Sequence, residues 1–444
     1  MILLMTTAQY SKSPWGLSRK IPPIGLAFIA AALEREGFEV KIIDNYLLGE
    51  PLDAIKQTIK ETSPKIVGIT CSSVTYNECI ETAKAVKETI PDCKVVAGGP
   101  HPTCMPDSIL QHPEIDYVII GEGEKAFTQL AFNLLRNEEE NVRKIPGVAY
   151  RHKGRIIKNR HVPIENLDMI PSPAMQLLPM SRYERKIEFL DVEPVDIMNV
   201  VRGCPYHCTW CNIRGMFGQK CRAFSPKRIV QDISHLIDHY GTRGIYFIGD
   251  NFANDENLVR ELCTLLKGAK LDIDWGCDAR VDKISRDLLK LMKDAGCRFI
   301  WFGVESGSPL ILEKIKREVT VKQAINAARL CKQEGIQTAY SFMLGIPGET
   351  MKDIEATFKL AKKLNPDWCQ FNVFVAYPGC ALYEEILREG LYEYMDGFLA
   401  YVKTEHFNYK FLLRIQGEYH RKFNNSVSRV FQRFAKKIRK KLER

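Results

Sequence analysis

Three cysteines, Cys204, Cys208 and Cys211, stand in the stretch Arg202-Gly-Cys-Pro-Tyr-His-Cys-Thr-Trp-Cys-Asn212 with C-x3-C-x2-C spacing. One loop carrying three thiolates can hold three irons of a [4Fe–4S] cubane, because soft sulfur donors suit iron–sulfur chemistry. The fourth iron would then be open to the amino and carboxylate groups of a bound molecule. A structural zinc site normally closes its sphere with four protein ligands, usually as two short Cys/His couples. His207 or a distant cysteine would have to complete such a site, and no second couple follows. Chance proximity of core cysteines fits poorly with a polar loop.

Of the fourteen cysteines, Cys71, Cys79, Cys93, Cys263, Cys297 and Cys331 lie singly in apolar runs, where cysteine serves as a small core residue. A disulfide framework belongs to short secreted chains, and nothing here directs secretion.

The elements that position the cysteine loop form an alternating series. Strand candidates are 196–201, 244–249, 273–277, 298–304, 338–344 and 369–375, with helical patterns between them. Six βα units are fewer than the eight of a closed barrel, which predicts a partial barrel of TIM type with its chemistry at the carboxyl ends of the strands. The cysteine loop directly follows the first of these strands.

Residues 1–136 show a separate alternation, with strand candidates 2–5, 40–44, 66–70, 94–98 and 117–120 and helical patterns at 24–36, 51–62 and 77–89. This predicts a Rossmann-like or flavodoxin-like α/β domain whose ligand lies beyond the strand ends. Those ends carry Thr70-Cys-Ser72-Ser73, Gly98-Gly99-Pro-His101 and Gly121-Glu122-Gly-Glu124. Residues 137–193 read as a connector with a small hairpin near 147–157. Residues 194–385 are the barrel, and 386–444 a helical region ending in a basic amphipathic tail.

The 444 residues suggest two or three domains. With 45% hydrophobic residues, the composition is that of a globular protein. No run of about 18 uncharged apolar residues occurs, and the start lacks the basic flank of a signal peptide, so the cytoplasm is the default location. The net charge of +9 is a property of the tail: residues 421–444 hold ten Lys/Arg and one Glu, and the rest balances.

With Trp210 in the aromatic place of C-x3-C-x-aromatic-C, the chain resembles the radical S-adenosylmethionine superfamily over about residues 195–385. The resemblance implies that Trp210 packs near the adenine, and that Asp250, Asn251, Arg280, Glu305 and Ser306 lie near the methionine or ribose. It also implies that Gly345 and Ile346 hold the adenine through main-chain groups. Glu305, Asp250 and Arg280 could instead form a buried ion-pair network at the barrel mouth. A reduced cluster would split S-adenosylmethionine into methionine and a 5′-deoxyadenosyl radical, fed by an electron donor such as flavodoxin or ferredoxin.

The first domain resembles the cobalamin-binding modules fused to one branch of that superfamily. Pro22, Gly25, Ser72, Ser73, Gly98, Gly99, His101, Gly121 and Glu122 match its features, and glycines would let the main chain approach a flat corrin. The D-x-H-x-x-G sequence that supplies a histidine to cobalt is absent after the first strand, which suits methyl transfer from cobalt without a strong lower ligand. His101 could equally be a packed histidine. No G-x-G-x-x-G follows the first strand, which argues against a dinucleotide site.

The leading expectation is cobalamin-dependent methylation of an inert carbon in a small-molecule or lipid substrate. The alternatives are radical cyclisation, rearrangement or carbon–carbon coupling, then RNA methylthiolation, then a non-enzymatic cobalamin or iron–sulfur sensor. The tail at 421–444 suits packing on its own barrel, peripheral contact with an anionic membrane at its inner face, or, least of the three, nucleic acid.

Overall fold

A computed structural model describes residues 1–7, 21–249 and 252–424. Its first sheet contains β1 (Ile2–Thr6), β2 (Val40–Asp44), β3 (Ile66–Thr70), β4 (Lys94–Gly98), β5 (Tyr117–Ile119), β6 (Val148–His152) and β7 (Arg155–Lys158). The order is β2-β1-β3-β4-β5-β6-β7, parallel from β2 to β5 and antiparallel beyond. β1 is Ile-Leu-Leu-Met-Thr and every residue is buried, as expected of a parallel strand covered on both faces. The hairpin assigned to the connector pairs onto β5 and thereby extends this sheet.

The second sheet is six parallel strands in the order β15-β14-β13-β12-β11-β8. Here β8 is Val195–Met198, β9 is Val201–Arg202, β10 is Arg222–Ala223, β11 is Gly244–Phe247 and β12 is Asp274–Ala279. β13 is Cys297–Glu305, β14 is Gln337–Leu344 and β15 is Trp368–Val373. The edge strands β8 and β15 do not pair with each other, so the barrel is partial. The chain is thus an α/β protein with a Rossmann-like domain followed by a partial barrel.

Local chemistry sets the helix ends between these strands. Ser225 caps the helix Pro226–Tyr240, which has proline in its first turn and stops at Gly241 in the left-handed region. A Thr320/Gln323 capping box starts Val321–Gln333. In the connector, Phe189 stacks on Phe299 with centroids 4.5 Å apart and meets Trp301 edge-on at 5.9 Å. Phe299 and Trp301 alternate with Ile300 and Phe302 on β13, so the connector fills one face of the barrel sheet while the helices cover the other.

The C-terminal region differs from its expectation of helix alone. β16 (Val375–Ala376), β17 (Tyr392–Asp396) and β18 (Leu399–Val402) form an antiparallel sheet before the helix Tyr409–Asn424. At its tip, Phe398 packs edge-on against Tyr76 of the first domain at 4.9 Å and against His101 at 4.6 Å. The Asp396-Gly397 turn, with Gly397 at φ +57°, is the sequence signal that marks this hairpin. No helix among the described residues is long and apolar enough to cross a membrane. The proposed membrane-binding stretch lies outside the described residues beyond Asn424.

Candidate functional site at the domain boundary

The cysteine loop leaves β9 and returns in β10, which pair antiparallel with Arg202 opposite Arg222. Gly203 takes φ +88°, and a Cβ there would collide with the Lys220 carbonyl, so the neck of the loop requires glycine. Cys204 donates its N–H to Gly218 O, and Cys211 donates to Cys208 O in a tight turn. Thr209 is held from both sides, giving its N–H to Ile315 O at 3.0 Å and accepting from Leu382 N at 2.8 Å. All three cysteines are half-buried.

Two arginines absent from the motif brace this loop. Arg317 donates to Cys208 Sγ at 3.8 Å and to Gly303 O at 2.7 Å. Arg280 Cζ lies over the Tyr206 ring, 3.5 Å from its centroid. Its other contacts go to Asp282 and to the carbonyls of Arg317 and Glu318, and it is 1% exposed. Arg280 therefore sits in a buried ion pair with Asp282 beneath the loop, while Glu305 pairs with Arg317 rather than with Arg280. Trp210 is partly buried against the core, and its buried Nε1 has no hydrogen-bond partner.

The end of β13 is locally strained. Glu305 holds φ +76°, unusual for a residue with a Cβ, where the β13–β14 register shifts. Its carboxyl folds back over Gly303, and burial pushes its pKa up to about 7 against the opposing pull of Arg317. Ser306 is turned inward, against Thr357 Oγ1 at 3.2 Å and accepting from Ser308 N.

After β14, the Glu349 carboxylate accepts from Gly345 N at 2.6 Å and bonds the Ile346 main chain. Its pKa is pushed up to about 8 by burial, and Oε1 is buried with no partner. Gly345 lies under Leu412 and Val402, so the C-terminal region roofs this turn. Asp250 and Asn251 lie outside the described residues.

Across the boundary, a cavity of about 400 Å³ is lined by Pro22, Gly25, Gly98, Gly99, Gly121 and Glu122 of the first domain. Asn199, Arg202, Met216 and Phe217 of the barrel side complete it. Nothing lies within 4 Å of the position a Gly25 Cβ would take, so bare main chain faces the space. Gly99 takes φ +101°, and a Cβ would sit 2.8 Å from Cys71 O.

Ser72, Ser73 and His101 do not line the cavity. His101 is buried with Nδ1 2.9 Å from Ser73 Oγ and Nε2 3.0 Å from Ser108 Oγ, and burial lowers its pKa to about 4. Both ring nitrogens are engaged, so His101 is a packed histidine rather than a corrin contact. A larger groove of about 1110 Å³ runs between the helices Ile24–Arg35 and Gly123–Leu135 and the connector, away from the β13 and β14 ends.

The Glu122 carboxylate is consumed within the protein. It accepts from Arg202 Nη1 at 2.8 Å, from Arg222 Nη1 at 2.8 and 3.0 Å, and from Ile164 N at 2.9 Å. Arg202 Nη2 also donates to Glu124 at 2.5 Å. Sequence reasoning missed this cluster and Arg317, whose partners are remote in the chain, and the Glu349 role, whose partners Gly345 and Ile346 are near in sequence but whose burial comes from the fold.

Among the described residues, no three His, Cys, Asp or Glu side chains converge on a single-ion site. The fit to a [4Fe–4S] cluster rests on donor type and spacing: three half-buried sulfurs on one loop, one of them facing a guanidinium donor. The fit to cobalamin rests on the glycine-lined cavity with main chain bare toward it.

These features define a two-domain α/β protein with a glycine-lined cavity at the domain boundary and a three-cysteine loop whose flanking residues border it. Residues 17–131 match the B12 binding domain and residues 198–361 the Radical SAM superfamily. An uncharacterized methyltransferase of Pyrococcus horikoshii is 36% identical over 83% of this chain and 79% of its own length. The anaerobic magnesium-protoporphyrin IX monomethyl ester cyclase of Rubrivivax gelatinosus is 30% identical over 82% of this chain and 66% of its own length.

Among solved structures, the radical S-adenosylmethionine methyltransferase TsrM from Kitasatospora setae, with cobalamin and a [4Fe–4S] cluster bound, aligns with TM-score 0.70 at 20% identity. That alignment covers 87% of this chain and 74% of TsrM. The cobalamin-dependent radical enzyme OxsB, with aqua-cobalamin and S-adenosylmethionine bound, aligns with TM-score 0.77 at 16% identity, covering 91% and 64%. The chain belongs to the family of radical S-adenosylmethionine enzymes that carry a B12-binding domain. Its cofactors are a [4Fe–4S] cluster, S-adenosylmethionine and cobalamin.

Proposed function

We propose that the protein methylates an unactivated carbon of a small-molecule or lipid substrate. The observation that carries this reading is the shared cavity: the glycine turns after β4 and β5 and the segments flanking the cysteine loop line one space. A carbon between them would be reachable from both cradles. When bound, the cluster and S-adenosylmethionine supply a 5′-deoxyadenosyl radical that removes hydrogen, and the corrin supplies the methyl group.

Cys204, Cys208 and Cys211 would hold three irons and leave the fourth for the amino and carboxylate groups of S-adenosylmethionine. Glu305 beside Arg317 places a carboxyl at the strand end where the cationic ligand would lie. Glu349 shapes the Gly345-Ile346 main chain toward the adenine. Gly25, Gly98 and Gly99 would leave room for the corrin, and the cluster, when bound, would draw on a one-electron donor such as flavodoxin or ferredoxin.

Relatives named for methyl transfer support the reading, including cytidylyl-2-hydroxyethylphosphonate methyltransferase of Streptomyces wedmorensis at 27% identity and hopanoid C-3 methylase of Methylococcus capsulatus at 24%. The cyclase relatives favour a second reading, radical ring closure without methyl transfer. Anaerobic incubation with S-adenosylmethionine, hydroxocobalamin, reductant and candidate substrates separates the two. Methylation releases both S-adenosylhomocysteine and 5′-deoxyadenosine, whereas 5′-deoxyadenosine alone with every substrate rejects it.

A further inference from the structure

We propose that Glu122, Glu124, Arg202 and Arg222 form an interdomain clamp that sets the orientation of the cluster-bearing loop against the corrin cradle. The inference needs both cofactors to be bound, and it holds whether the reaction is methyl transfer or ring closure.

All three cluster cysteines lie on the loop that enters through Arg202 and leaves through Arg222, residues directly opposed across β9 and β10. The two guanidinium groups at this neck converge on one carboxylate, that of Glu122, and Arg202 reaches Glu124 with its second arm. Both acids belong to the Gly121–Glu124 turn after β5, whose main chain lines the corrin cavity. The same turn therefore borders one cofactor and grips the loop that carries the other.

All four side chains are at most 8% exposed. Two acids and two bases balance in charge. Arg222 also donates to Ile164 O and Phe217 O, and Glu122 accepts from Ile164 N. The Glu122 N–H donates to His161 Nε2 at 3.2 Å, which requires that nitrogen to be unprotonated, and burial of the ring favours the neutral form.

Adhesion alone does not call for such a cluster. A continuous apolar core already joins the two halves, running from Phe28 and Phe127 to Val201 and Phe224. Buried ion pairs are often no more stabilising than apolar residues of the same shape, because desolvation offsets the attraction. What a forked guanidinium adds is direction, since its paired N–H groups fix the angle as well as the distance to a carboxylate. A reacting site must be held within about 0.5 Å and 10–20° to work, and neither cradle alone can set the spacing between them. These four are positioning residues.

The test uses full-length protein reconstituted anaerobically with iron, sulfide and hydroxocobalamin, then reduced so that cob(II)alamin and the cluster are both paramagnetic. Glu122→Gln and Glu124→Gln keep the shape and remove the charge. The expected result is unchanged iron, sulfide and cobalt content, with the half-saturation power of the cob(II)alamin electron paramagnetic resonance signal altered about twofold or more, since relaxation by the cluster depends on their separation. Arg202→Lys, which keeps charge but loses the fork, falls between. Glu165→Gln, which removes an exposed ion pair to Lys220 on the same loop, leaves the signal unchanged.

An unchanged signal in fully loaded Gln variants, with only a lower Tm, overturns the clamp. If those variants do not fold, Glu124→Asp is read by the same criterion. Absence of cobalt or cluster from the unmodified protein would instead count against the two-cofactor reading.

Discussion

On the barrel side of the domain boundary the strand ends carry buried ionisable groups: Glu305 in a strained conformation, Arg317 on Cys208, and Glu349 beneath the Gly345 turn. On the Rossmann side the turns after β4 and β5 present glycines to the cavity, their carboxylates Glu122 and Glu124 are taken up by Arg202 and Arg222, and the one histidine of the motif is locked between two serines. Under the function proposed above, the difference follows from what each cradle must do. A cationic sulfonium and an electron-accepting cluster need a controlled electrostatic environment, whereas a broad planar corrin needs room. Substitutions should therefore act electrostatically or through ligation on one side, and sterically on the other.

The largest effect belongs to the barrel side. Cys208→Ala removes one of three cluster ligands, and cleavage of S-adenosylmethionine should fall at least about 10³-fold, since the difficult step is the cofactor's. Cobalamin binding should survive. The comparison breaks if 5′-deoxyadenosine formation persists in liquid chromatography of the anaerobic reaction.

Its steric counterpart is Gly99→Ala. The new Cβ would press on Cys71 O from a left-handed backbone, at a cost of ~1–3 kcal/mol. That cost falls on the fold and lowers Tm, and because relieving the clash moves a turn that borders the cavity, hydroxocobalamin affinity should drop by spectroscopic titration. The visible cluster absorption should stay the same. A variant that binds cobalamin normally would show that the glycine turns do not shape the corrin cradle.

The two halves were also unequally legible. The strands were readable in both, because buried parallel strands are short apolar runs such as Ile2–Thr6 and Thr338–Leu344 between helical periods. The cysteine loop was readable because its ligands are adjacent in sequence. Arg202 with Glu122 was not, since 80 residues separate them and only the packing of two domains brings them together. His101 misled for the opposite reason: it sits in a turn of the right composition, but Ser73 and Ser108 turn its ring into the core. The β17–β18 hairpin is marked in the sequence only by its Asp-Gly turn, because β17 is mostly exposed and Tyr392–Asp396 carries no buried apolar run.

A pH experiment sharpens the electrostatic half. The Glu349 pKa is raised to about 8 from an ordinary 4.5, so the folded protein binds a proton that the unfolded chain has released between those values. Stability from this group is greatest below about pH 4.5, falls as pH rises towards 8, and is level above. Glu349→Gln can still accept the Gly345 N–H and never ionises. Its Tm should match the unmodified protein at pH 5 and exceed it at pH 8, by an amount equivalent to about 1–3 kcal/mol. Equal Tm values at pH 8 would show that the buried carboxyl ionises without cost.

The smallest effect lies where the connector touches the Rossmann half. Tyr183 donates to Asp44 Oδ2 at 2.8 Å, while Thr6 donates to Oδ1 at 2.7 Å. Removing the hydroxyl in Tyr183→Phe leaves a buried carboxylate with its second donor intact, so the loss should be about 1 kcal/mol in urea unfolding. Because Asp44 ends β2 rather than lining the corrin cavity, cobalamin affinity should not change. A fall in affinity without a fall in stability would place Asp44 in the cradle, and would add a carboxylate to a surface otherwise shaped by glycines.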